Sequence, residues 1–344
     1  MKRENTNIIR TGYRNRKKRF WIVTAALLLL ISVLSVLLLT YGNTIYSMDT
    51  VIQVLRGTDI EGATYAIKVL RLPRLLVGLL AGLAFGIAGN TFQTILRNDL
   101  ASPDIIGVTS GSSVAAVFCI LVLHMSGMKV SLAALVSGLL AAGLIYFLSI
   151  GNGFSKSRMI LIGIGMQALF NAIISFIILK SAQYDVPTAL RWLNGSLNGV
   201  QLDRVPSLFI AVISVSIVIL LLTRHLQVLQ LGESMASTLG LRVNITYLSL
   251  IFASVILIAF ATSVSGPIAS IAFLSGPIAA RMVGKGSVNT IPAGLVGAAL
   301  VLAGDFFGQY ALATRYPVGV ITGILGAPYM LFLLIRMNRK GESV

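Results

Sequence analysis

The sequence has little charge for its length. Only 11% of its 344 residues are Asp, Glu, Lys or Arg, whereas 56% are hydrophobic. A soluble domain carries about 25% charged residues, so this chain has too little polar surface to coat a globule in water. The composition predicts an all-α polytopic membrane protein.

Cysteine and histidine are also scarce. The single cysteine, Cys119, excludes a disulfide framework and a thiolate zinc site. The two histidines, His124 and His225, lie far apart in the sequence with no carboxylate cluster near them. The sequence has no G-x-x-x-x-G-K-[ST] loop, which is the usual cradle for nucleotide phosphates. We therefore expect no catalytic residues, no metal site and no cofactor in this chain.

Acidic residues are few, and the basic excess is large. The 27 Lys and Arg against 11 Asp and Glu give a net charge of +16, which in a soluble protein would suggest nucleic acid. Here the basic residues flank hydrophobic runs, and no basic face with interspersed aromatic residues is present. Membrane topology explains the charge better, and nucleic acid is not an expected partner.

Long apolar runs are abundant. A helix needs roughly 20 apolar residues to span a bilayer, and ten runs approach that length. Glycines recur at helical spacing within them, chiefly for close helix packing, as at Gly78, Gly82, Gly86 and Gly89. The predicted spans are 20–41, 72–95, 105–124, 129–150, 159–180, 206–223, 245–264, 268–283, 291–312 and 318–336.

Charge distribution orients these spans. With the N-terminus inside, roughly two-thirds of the basic residues fall on the cytoplasmic side, as the positive-inside rule requires. Both termini are then cytoplasmic. The apolar core after the first basic cluster is longer than that of a signal peptide, so we expect a retained helix. Residues 1–19 are predicted to form a basic cytoplasmic tail, and 20–338 a single domain.

Three segments stand out from the apolar background. The first runs from Arg71-Leu72-Pro73-Arg74 through Gln93 to Asn98-Asp99-Leu100-Ala101-Ser102-Pro103. The second is the cytoplasmic loop 229–241, which contains Leu-Gly-Glu at 231–233. The third joins Gly304-Asp305 to Tyr316-Pro317-Val318-Gly319 and Gly326-Ala327-Pro328. In this order and spacing, over about residues 65–335, they resemble the FecCD family of permeases from binding-protein-dependent ABC importers.

The resemblance implies a transport role and a set of partners. It implies a permease in the bacterial cytoplasmic membrane that pairs with a second, identical or paralogous, permease. Two ATP-binding subunits would use ATP and Mg²⁺, and an extracytoplasmic binding protein would deliver the cargo. The favoured cargo is a ferric siderophore, with haem or cobalamin as the alternative within the family.

The loop 229–241 is the element that the resemblance assigns to ATPase coupling. It is predicted to form two short helices broken at Gly232 and Gly240, and the alternative is an ordinary solvated connector. A chain without a nucleotide site needs a protruding contact of this kind to receive conformational work. The predicted coupling residues are Leu231, Gly232, Glu233, Ala236, Leu239 and Gly240.

Arginines at the outer ends of the spans are candidates for docking the binding protein. Arg71 and Arg74 would meet carboxylates there, and the alternative is interfacial snorkelling. The sequence departs from the family pattern at Gln309, where arginine is usual, and Arg315 is expected to supply the missing charge. Ala272 and Ile278 also depart from the pattern of the eighth span.

Polar residues inside spans are candidates for the pathway. Asn90, Gln93, Met166, Gln167 and Asn171 could line it or could join helices. Asp305 is the one acidic residue within a predicted span, and we favour a structural hydrogen-bonding role for it. The rival hypothesis is an ion-coupled secondary transporter that uses Asp305, and a third is a membrane scaffold without transport activity.

Overall fold

A computed structural model describes residues 2–151, 153–154, 156–284 and 289–339. Within these ranges the regular secondary structure is helical apart from a short antiparallel pair, β1 (Ile150–Gly151) and β2 (Gly153–Phe154). The helices are α1 (Lys2–Thr40), α2 (Met48–Leu55), α3 (Leu72–Leu96), α4 (Val108–Leu121), α5 (Met128–Ser149), α6 (Lys156–Lys180), α7 (Val186–Leu193), α8 (Val205–Leu221), α9 (Thr223–Leu229), α10 (Glu233–Thr238), α11 (Val243–Ser265), α12 (Ile271–Val283), α13 (Thr290–Tyr310) and α14 (Val318–Arg339).

Each predicted span overlaps one helix, and the all-α membrane class is confirmed. Within the described residues, seven helices are long and apolar enough to cross a bilayer. Three more apolar helices are shorter, namely α4, α12 and residues 318–333 of α14. The count of ten spans and the cytoplasmic termini remain predictions.

Two of these helices begin later than the apolar runs suggested. Before α4, the side chain of Ser102 caps a 3-10 turn that starts at Pro103 and ends at Gly107, which has a φ of 69°. Before α12, Ser270 adopts a φ of 67°, and the helix begins at the next residue. Hydropathy did not place these helix starts, because the residues just before them include Ile105 and Ile106 in one case and Ile268 and Ala269 in the other, which are as apolar as the helices.

Helix α3 lies at the centre of the molecule. Of its most apolar window, 83% is buried, against α13, α11 and α12. A Cβ atom at Gly82 or Gly86 would overlap the backbone of α13, and one at Gly89 would overlap the carbonyl of Ala272 in α12. The packing role predicted for these glycines is confirmed, because only glycine permits this backbone approach.

The basic tail and the first span form one continuous helix, α1. Arg19 Nε donates a hydrogen bond to the carbonyl of Met282 at 2.7 Å, and its Nη2 donates to that of Arg281 at 2.9 Å. These are terminal carbonyls of α12, where a cation is also favoured by the helix dipole. The predicted tail thus contacts the C-terminal end of α12.

Helix α6 is the least covered of the long helices. Only 11% of its apolar window is buried within the chain. A row of large apolar side chains remains exposed along it: Leu161, Ile164, Leu169, Phe176 and Leu179. This face is left to lipid or to another protein.

Candidate functional site

Helix α9 ends at Leu229, and the loop 229–241 that follows contains a break at Gly232 and the short helix α10, which ends before Gly240. The two glycines have φ values of 117° and 83°, a region that L-residues rarely adopt. The predicted breaks at Gly232 and Gly240 are confirmed, but the loop contains one short helix, α10, and not two, since α9 ends at Leu229. Because both breaks are sharp, α10 projects as a separate turn between α9 and α11.

The loop 229–241, which we call the coupling segment after the role predicted for it, has one buried face and one exposed face. Leu229 and Ala236 are almost fully buried against the core. Leu231, Met235 and Leu239 are exposed by 64%, 54% and 60%. Three large apolar side chains on one protruding turn form what we call the leucine ridge, a surface of the kind that protein partners cover.

Two polar contacts hold the coupling segment to the helices. Arg97, at the end of α3 with a φ of 52°, donates from Nη2 to the carbonyl of Leu229 at 2.6 Å. Tyr247 of α11 donates from its hydroxyl to Glu233 Oε1 at 3.4 Å. Glu233 therefore contacts its own chain as well as being exposed. Arg97 was missed by the sequence reasoning, and its only signal was a basic residue directly after a span.

Gln93 joins helices near the C-terminal end of α3. Its Nε2 donates to the carbonyls of Asp99 at 3.0 Å and Phe273 at 2.9 Å. It thus connects α3 to α12 and to the loop after α3. Of the two roles considered for Gln93, lining the pathway or joining helices, this contact pattern supports the second. Asn90, one turn earlier, is 7% exposed, and its Nδ2 has no hydrogen-bond partner within the described part of the chain.

The three pathway candidates on α6 differ in exposure. Met166 is half-buried and packs against the core, Gln167 is half-buried, and Asn171 is exposed. All three lie on α6, the long helix that is least buried by the rest of the chain. Their placement is compatible with a pathway completed by another subunit.

Arg74 is held inside the protein by Asp305. The guanidinium binds the carboxylate in a two-point geometry, Nε to Oδ2 at 2.6 Å and Nη2 to Oδ1 at 2.5 Å. The remaining nitrogen, Nη1, donates to Asn198 Oδ1 at 2.6 Å. The side chain of Asp305 is 1% exposed and that of Arg74 is 19% exposed. The cluster links α3, α13 and the loop after α7, which supports the structural role favoured for Asp305.

Arg71 is likewise engaged within the chain. It donates to the carbonyls of Leu39, Thr40 and Thr44 at 2.6–3.0 Å, and its guanidinium lies 5.1 Å from the ring centre of Tyr46. It therefore fixes the connection after α1. Its role in docking a partner stays a prediction.

Arg315 lines the same cavity as the other two arginines. This cavity is lined by Arg71, Arg74, Gln309 and Arg315 among others, and Arg315 hydrogen-bonds Asn43. Gln309 is 7% exposed, and its Nε2 has no partner among the described residues. The three docking candidates thus line one cavity, and each of them also makes a contact within the chain.

The chain is similar to known transport proteins over most of its length. Residues 27–336 match the FecCD transport family. A ferric enterobactin permease of Escherichia coli is 33% identical over 300 residues, which cover 87% of this chain and 91% of that one. An iron(3+)-hydroxamate permease of Bacillus subtilis is 32% identical, covering 92% and 97%. A cobalamin permease of Halobacterium salinarum is 33% identical, covering 80% and 74%.

A solved structure has the same fold. It is an inward-facing metal-chelate type ABC transporter with 26% sequence identity and a TM-score of 0.80. The match covers 91% of this chain and 99% of the other. Similarity therefore extends over most of the helical arrangement.

Proposed function

The chain belongs to the FecCD transport family, and we propose that it is the permease subunit of an ABC importer for a ferric siderophore. It is a multi-pass membrane permease and not itself an enzyme. Several relatives are named for iron complexes, including ferric enterobactin, achromobactin and iron(3+)-hydroxamate, which supports this cargo over haem or cobalamin.

The leucine ridge is the observation that carries the ATP-driven mechanism. An exposed apolar surface on a cytoplasmic loop costs free energy unless a partner covers it, at about 25 cal/mol per Å² of apolar area. Arg97 and Tyr247 connect the segment to α3 and α11. Movement imposed on the ridge by an ATP-hydrolysing subunit would therefore pass to the helices around the central packing of α3.

The open face of α6 supports a second permease subunit. Asn171 and the neighbouring apolar side chains would face a pathway shared by the two permeases. At the outer end, Arg315 and the cavity beside Arg71 and Arg74 would receive carboxylates of an extracytoplasmic binding protein. No bond is made or broken in this chain.

The test measures uptake in a strain from which this gene is deleted while its partner genes are kept. The wild-type gene or a variant is then supplied to that strain. We would measure labelled iron from several ferric siderophores, with labelled haem and cobalamin alongside. Leu239→Asp should abolish uptake and prevent co-purification of the ATPase, because it puts a charge on the ridge. Leu239→Met keeps an apolar side chain there and should preserve both.

Two results would contradict this proposal. If Leu239→Asp changes neither uptake nor association with the ATPase, the ridge does not couple the two subunits. Unchanged iron uptake with lost cobalamin or haem uptake would reject the siderophore as cargo while keeping the permease.

A further inference from the structure

A second outer cavity, of about 240 Å³, contains a buried arginine without a carboxylate partner. The cavity lies between the α4–α5 connection, α7 and the start of α8, and is lined by Ser131, Arg191, Trp192, Asn198 and Arg204 among others. Arg204 is 9% exposed. Its Nη1 donates to Ser131 Oγ at 2.8 Å, and its Nε has no hydrogen-bond partner among the described residues.

The positive charge of Arg204 needs compensation. An arginine keeps its charge at any ordinary pH, and a buried charge without a partner is costly. Within the described ranges, no carboxylate lies within 4.0 Å of this guanidinium. Arg204 also directly precedes α8, so it lies at the positive end of that helix dipole. The dipole of α8 therefore does not compensate this charge.

The rest of the lining suits an oxyanion. Hydroxyl groups of Ser126, Thr188 and Ser196 can donate hydrogen bonds, and Arg191 adds a second cation. No acidic residue lines the cavity in the part of the chain that the structure describes. A guanidinium with free N–H groups binds phosphate or carboxylate oxygens with directional, charge-assisted bonds.

We propose that this cavity binds one phosphate-type oxyanion, with Arg204 as its central ligand. Its volume is below the 300–1,000 Å³ typical of sites for drug-sized ligands and suits a single small group. The group could be free inorganic phosphate or the headgroup of a phospholipid. Trp192 and the apolar lining on the α4–α5 side would also accommodate the adjoining part of a lipid. Arg71, Arg74 and Arg315 do not line this cavity, although Asn198, which accepts a hydrogen bond from Arg74, does. The proposal does not depend on the cargo.

The first experiment titrates the full chain in detergent with sodium phosphate, against sodium chloride at equal ionic strength. We expect phosphate to raise the unfolding midpoint of the wild type, because a ligand that binds only the folded state stabilises it. Arg204→Gln should weaken this binding at least tenfold. The control is Arg56→Gln, which removes an exposed arginine outside the cavity and should respond as the wild type does.

The second experiment distinguishes the two sources of the oxyanion. Native mass spectrometry would compare retention of phosphatidylglycerol with that of diacylglycerol, which has the same acyl chains but no phosphate. Selective retention that is lost in Arg204→Gln supports a lipid headgroup. A midpoint shift with free phosphate but no selective lipid retention supports a soluble anion.

The proposal is overturned if the wild type shows neither the phosphate shift nor selective lipid retention. It is also overturned if Arg204→Gln binds as tightly as Arg56→Gln. Should Arg204→Gln not fold, Arg204→Lys keeps the charge but loses the planar donor group, and binding at wild-type strength by that variant would reject the central role of Arg204.

Discussion

Replacing either partner of the Arg74–Asp305 pair tests whether the carboxylate is structural. The pair forms two hydrogen bonds of 2.5–2.6 Å, and Asp305 is almost fully buried whereas Arg74 is 19% exposed. Breaking a buried ion pair from one side costs about 3–5 kcal/mol, since the other charge stays buried and unpaired. The two single variants should therefore lose different amounts of folding stability.

Arg74→Gln should be the more damaging change, at about 3–5 kcal/mol, because it leaves the more buried charge alone. Asp305→Asn should cost about 1–3 kcal/mol, because the amide can still accept a hydrogen bond and Arg74 keeps its contact with Asn198. The double variant should be more stable than the sum of the single effects predicts, by about 0.5–3 kcal/mol.

The assay is reversible unfolding of the full chain in mixed micelles, run beside an uptake measurement. Additive single effects, or a larger loss for Asp305→Asn than for Arg74→Gln, would refute the structural reasoning. If Asp305→Asn keeps full stability but loses uptake, and uptake by the wild type collapses with the proton gradient, the ion-coupled transporter is the correct description.

Three further changes probe the packing and the helix ends. Gly89→Ala should destabilise the protein by about 1–3 kcal/mol through a backbone clash with α12, whereas Gly165→Ala, which meets open space, should be neutral in the same unfolding assay. Gln93→Leu should cost about 2 kcal/mol, because it removes two hydrogen bonds to carbonyls, and a stability equal to wild type would contradict this. Arg19→Gln should speed hydrogen exchange at the C-terminal end of α12, while Lys18→Gln, an exposed neighbour, should leave it unchanged.

Local signals in the sequence predicted much of the helical arrangement. Apolar runs marked every long helix because burial in lipid requires them along the whole span. Gly232 and Gly240 marked the ends of α10 because positive φ values favour glycine. The starts of α4 and α12 were placed too early, since the turns at Pro103 and Ser270 are hidden within apolar sequence.

The polar contacts were less accessible from the sequence. Arg74 was interpreted as a docking residue and Asp305 as an isolated carboxylate, yet they bind each other across 231 positions. Arg97 and Arg204 carried no pattern that distinguished them from other basic residues at span ends. Their roles depend on which carbonyl or cavity lies beside them after the helices pack.

The sequence by itself determined that the chain lies in a membrane, where its long helices are, and which family it resembles. It could do so because hydropathy, glycine spacing and the three motifs are properties of short segments. Only the tertiary structure decided which charges are neutralised and which remain unpaired. The physical reason is that the energy of a charge in a membrane protein depends on its neighbours within a few ångströms. Those neighbours come from helices that are distant in the sequence, as Asp305 beside Arg74 and the lone Arg204 demonstrate.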